Sequence, residues 1–146
     1  MSLEESENLW WVFALLSALF AALTAIFAKV GIAGVSSNLA TAIRTVVILA
    51  IAWAIAARDG QLAQLWTLST KTWTFLVLSG IATGLSWLCY FRALQLGPAS
   101  LVAPLDKSSA ILVLVLSVAF LGEPLTLSVV VGTLLILGGT LVLILM

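Results

Sequence analysis

Hydrophobic residues in this chain gather in long runs separated by brief polar interruptions, with no alternation of period two. A helix needs about 20 apolar residues to cross a bilayer. Five runs approach or exceed that length: 9–28, 39–57, 73–94, 99–121 and 125–146. Strands of a membrane barrel would alternate polar and apolar side chains, so the pattern predicts helices. The predicted fold is an all-α integral membrane protein with five transmembrane helices. The interruptions read as connections. "KVGIAGVSSN" holds glycines followed by Ser37 and Asn38, two residues suited to cap the second helix. "RDGQLAQLWTLSTK" carries the turn pair Asp59-Gly60, "QLGP" supplies Gly97 and Pro98, and "GEP" makes a tight turn at 122–124. Residues 1–8 form a polar tail, and 9–146 a single transmembrane domain.

Composition agrees with that reading. Of the 146 residues 63% are hydrophobic, with only six Lys or Arg, six Asp or Glu and no His. A soluble domain commonly has about a quarter of its residues charged, so the expected solvent is lipid. Zero formal charge and the lack of a basic run argue against nucleic acid as a partner. One cysteine, Cys89, excludes an internal disulfide. "MSLEESEN" is acidic where a signal peptide opens with positive charge, which predicts insertion through the chain's own spans. No GxxxxGK[ST] loop is present, so ATP hydrolysis is not expected. HExxH and GxSxG are absent too, and "GLSW" at 84–87 fails the second pattern. No enzymatic activity, cofactor or metal is expected.

The few charges are placed unevenly. If the N-terminus lies on side A, five crossings put the C-terminus on side B. Side A then receives Arg58 and Lys71, and side B receives Lys29 and Arg92. Arg44 lies inside the second span, and Asp106 and Lys107 inside the fourth, all measured from side B. Counting these, the Lys/Arg balance is four to two for side B, a weak bias that permits insertion both ways round. Depth is the notable feature. At about 1.5 Å per residue, Arg44 lies about 7.5 Å into its span and the Asp106-Lys107 pair roughly 10 to 12 Å into theirs. Each buried ion costs about 2.5 to 3.5 kcal/mol on insertion scales, so partners or water are needed. Neighbouring helix residues splay about 100° apart, which disfavours contact between Asp106 and Lys107 and points to Arg44 or Arg92 as partner of the acid. Pro104 cannot donate to the carbonyl of Ser100 and is expected to kink the helix, opening a polar notch beside Ser108 and Ser109. Two uses fit this layer. It can line a cavity for a polar solute, or it can lock helices together while Lys29 and Arg92 snorkel to the interface.

Aromatic and small residues extend the picture. Trp10, Trp11, Trp53, Trp66 and Trp73 fall at side A boundaries, as an interfacial belt would. Trp87 lies about 21 Å from side A, near the charged level, with Tyr90 at i+3 on its face. The pair suits either a solute pocket or plain packing. Gly80 and Gly84 form a GxxxG match, and Ser128, Gly132 and Gly139 fall near one stripe of the last span. Both faces suit close helix packing, within the chain or across a dimer.

The segments "SALFAALTAIFAKVGI", "SNLATAIRTVVIL" and, most specifically, "SWLCYFRALQLGPASLVAPLDKSSAILVLVLSVAFLGEPLT" resemble the EamA-like domain of the drug/metabolite transporter superfamily. The likeness runs nearly end to end and corresponds to a single five-helix unit, half of an inverted-repeat transporter fold. It implies small-molecule transport across a bacterial inner membrane, with spans one, three and four lining the cavity. On that basis Trp87, Tyr90, Asp106, Lys107 and Ser108 are the expected substrate contacts, with Arg44 of the charged layer added as a further candidate. Asp106, the one acid well inside a span, is the candidate proton carrier. An odd number of spans makes a tandem copy enter inverted, and a lone unit regains that arrangement by pairing with an oppositely inserted copy. An antiparallel homodimer is therefore expected, carrying an anionic or zwitterionic metabolite in view of the net positive charged layer. Two other readings remain: a non-transporting scaffold or accessory subunit, and a small multidrug-resistance-type cation exporter. The second fits less well, because the first span holds no acid.

Overall fold

The computed structural model describes residues 9–145, all of whose regular structure is helical. The polar tail expected over 1–8 and the final residue, Met146, lie outside that range. The helices are α1 (Trp10–Gly31), α2 (Ser37–Arg58), α3 (Thr70–Leu96), α4 (Ala99–Asp106), α5 (Ser109–Leu116) and α6 (Leu127–Leu145). A 3₁₀ segment, Gln61–Thr67, follows α2, and a π-helical turn, Ser117–Leu121, follows α5. Taken with α4, α5 and the π turn as one span, five helices are long and apolar enough to cross a membrane. In hydrocarbon a helix satisfies its backbone donors and acceptors internally, which is why such runs adopt it.

Helices α2 and α3 begin before their apolar runs because polar caps complete them. Ser36, in extended conformation, caps α2 by accepting a hydrogen bond from the Leu39 amide at 3.4 Å. The cap therefore falls one residue before the expected Ser37 and Asn38. Ser37 is instead a buried first-turn residue whose carbonyl accepts from the Thr41 hydroxyl at 2.9 Å. At the start of α3 the Ser69 hydroxyl accepts from the Thr72 amide at 3.1 Å, which brings that helix forward from the expected residue 73.

The chain divides into two compact units. One comprises residues 28–96 and contains the end of α1, α2, the 3₁₀ segment and α3. Here α2 packs on α3, and Phe91 and Leu94 of α3 are fully enclosed. The Lys29 ammonium donates to the Leu94 carbonyl at the end of α3. The Gln95 amide donates to the Val35 carbonyl at 2.6 Å. Lys29, expected to snorkel, thus ties helix ends together.

Of the described residues, the other unit comprises 9–27 and 97–145. In it α6 packs against both α4 and α5. The fourth span is broken, as Pro104 predicts, but the break lies at Lys107 and Ser108, one turn beyond the proline. There the amides of Lys107, Ser108, Ala110 and Ile111 each bond to the carbonyl three residues earlier, at 3.0–3.1 Å. Thr140 of α6 supports the junction: its buried hydroxyl donates to the Ile136 carbonyl at 2.8 Å and lies 3.4 Å from that of Pro104. At its far end the span closes on Gly122 at φ 68°, a backbone region that a side chain would strain.

Candidate functional site

Two clusters of the expected residues form, one in each unit. In the 28–96 unit, Trp87 and Phe91 stand four residues apart on α3 and so share a face. The Arg44 guanidinium of α2 lies over both rings, 5.3 Å from the Trp87 centroid and 4.3 Å from that of Phe91. The Tyr90 ring meets Phe91 edge-on, with centroids 5.9 Å apart and planes at 77°. Because α2 begins at Ser37, Arg44 stands about seven residues along it, roughly 10 Å, deeper than the apolar run suggested. Cation–π contact offsets part of the cost of holding that charge in a membrane segment without removing the charge. The Nη1 amino group of Arg44 is buried and has no hydrogen-bond partner among the described residues. Phe91 escaped the sequence reading, although its i+4 spacing from Trp87 was the available signal.

In the other unit, Asp106 and Lys107 are in contact after all, Nζ to carboxylate oxygen at 3.7 Å. The reasoning from a regular 100° splay fails here because helical winding ends between them: Lys107 has ψ −11° and opens the tightened turn. The pair is accessible in the isolated chain, with 63% of the Lys107 side chain and 41% of that of Asp106 exposed. An exposed pair at such a distance is a weak bond. Of the arginines expected to meet the acid, Arg44 rests on aromatic rings and Arg92 donates to Gln95 on its own helix at 3.1 Å. Ser108 turns its hydroxyl back onto the Leu105 carbonyl at 2.7 Å, where it stabilises the break.

The small-residue faces are open. At Gly80, Gly84, Gly132 and Gly139 no described atom beyond the adjoining residues and backbone of the same helix would lie within 4 Å of an added Cβ. Ser128 is exposed, with its hydroxyl 3.2 Å from that of Thr126. A groove of about 330 Å³ lies between α2 and the 3₁₀ segment, lined by Trp53, Ala56, Leu62, Leu65 and Leu68 with Gln61 and Gln64. None of the expected site residues lines it. Among the described residues no group of three His, Cys, Asp or Glu is placed to hold a metal.

Comparison with known proteins accords with this architecture. Residues 8–145 match the EamA-like transporter family. A Sinorhizobium protein described as "uncharacterized transporter in cobO 3'region" is 55% identical over 134 residues, covering 92% of this chain and 95% of its own. No solved structure matches.

Proposed function

The chain belongs to the EamA-like transporter family, and from that premise we propose that it is a secondary transporter of small polar metabolites in a bacterial inner membrane. The observation that carries the reading is the Arg44 guanidinium held over Trp87 and Phe91 inside a membrane-length helix pair. A charge at that depth is costly, and a group kept ionised there has a use. Asp106, Lys107 and Ser108 form the second polar locus, at a break in the fourth span where the ion pair is exposed. The cargo proposed is anionic or zwitterionic. The unit acts as an antiparallel homodimer in which the open Gly80-Gly84 and Ser128-Gly132-Gly139 faces supply helix contacts.

Purified protein in liposomes, offered a panel of labelled amino acids, organic acids and organic cations, tests this directly. Uptake of an acid or zwitterion is expected. A dimer that moves nothing would instead favour a scaffold, and uptake confined to organic cations would favour the exporter reading.

A further inference from the structure

We propose that Arg44 is the receptor for an oxyanion, a carboxylate or phosphate borne by the bound solute. This deepens the transporter reading and rests on it. Three observations converge. Contact with Trp87 and Phe91 holds the guanidinium in place while leaving its charge intact. Burial of Nη1 with no acceptor among the described residues leaves an ionised donor with a strong drive to gain one. The compact unit around it contains no acid to serve: Asp59, its one carboxylate, stands at the opposite end of α2. The hydroxyls of Thr41 and Thr45 on either side of Arg44 donate to their own helix, to the carbonyls of Ser37 and Thr41. The acceptor that suits the site is therefore a mobile one. A guanidinium is a planar fork of donors that binds a carboxylate or phosphate through paired charge-assisted hydrogen bonds.

The rings also set what may accompany the anion. Trp87 is half-buried, whereas Phe91 is 1% exposed. Trp87 is thus the ring that an incoming solute meets, and a flat or apolar portion beside the anion would rest there.

Thermal-shift titrations of the intact protein in nanodiscs provide the test, using matched pairs: benzoate against benzamide, succinate against succinamide, and inorganic phosphate against trimethyl phosphate. At least one anion is expected to raise the unfolding temperature where its uncharged counterpart does not. The pairs separate a carboxylate from a phosphate preference. Arg44→Gln is expected to weaken that binding at least about tenfold. Arg44→Lys, which keeps the charge and loses the fork, is expected to give a smaller loss and serves alone if the glutamine variant does not fold. Wild-type protein unaffected by every anion, or anion binding equal in both variants and wild type, overturns the proposal. Parallel liposome flux separates the two readings. Arg44-dependent binding without flux sinks the transporter and leaves the receptor. Flux of anions undiminished in both variants sinks the receptor and leaves the transporter.

Discussion

Aromatic rings hold a guanidinium by two kinds of force at once, dispersion against the flat face and attraction between the charge and the ring quadrupole. Phe91 supplies both to Arg44 and is also among the most enclosed side chains described. Phe91→Ala should therefore cost about 3 to 5 kcal/mol, the usual range for a buried phenylalanine, seen as a lower unfolding midpoint in detergent. Asp106→Asn should behave in the opposite manner. Its contact with Lys107 is long and exposed, so the midpoint should move by less than about 1 kcal/mol. Gradient-driven uptake should nevertheless be lost, because Asp106 is the proposed proton carrier; normal uptake by a folded variant refutes that role. Depth of charge could be read from the sequence, since distance along a helix follows from counting residues. Partners could not. Arg44 stacks on rings instead of meeting an acid, and Asp106 reaches its sequence neighbour, because side-chain direction depends on local winding that counting assumes to be regular.

At the scale of elements, the spans were legible because each is an apolar run of bilayer length, and the starts of α2 and α3 were not, because their caps are made by polar residues outside the runs. The 3₁₀ segment after α2 was read as loop. Its seven residues are too few for a clear period, and Gly60, at φ 69°, turns the chain into it. Pro104 announced a break but not its position, which the downstream i to i−3 bonds set at Lys107 and Ser108. Pro104→Ala restores a donor for the Ser100 carbonyl and removes a ring clash worth about 3 kcal/mol in an ordinary helix interior. Regular winding should then continue from α4 into α5. Hydrogen exchange at the Lys107 and Ser108 amides is expected to slow, and unchanged exchange would mean that the break has another cause.

On the scale of the whole molecule, most large apolar side chains remain exposed and few residues are buried, as expected when lipid is the solvent. The cations at the helix ends are nearly balanced, with Lys29 and Arg92 on one side and Arg58 and Lys71 on the other. A C-terminal reporter should accordingly be active on both faces of the membrane. Activity on a single face removes the antiparallel pair.

The spans also differ in length, which ties the protein to the thickness of its host. At 27 residues α3 measures roughly 40 Å, well beyond the hydrocarbon slab of about 30 Å, whereas α6 at 19 residues measures roughly 28 Å. A single sheet of lipid cannot match both: the longer rod must lean or protrude while the shorter one draws the leaflets inward. Fatty-acid chain length thereby becomes a control on the protein, with thick membranes straining α6 and thin ones forcing α3 to slant.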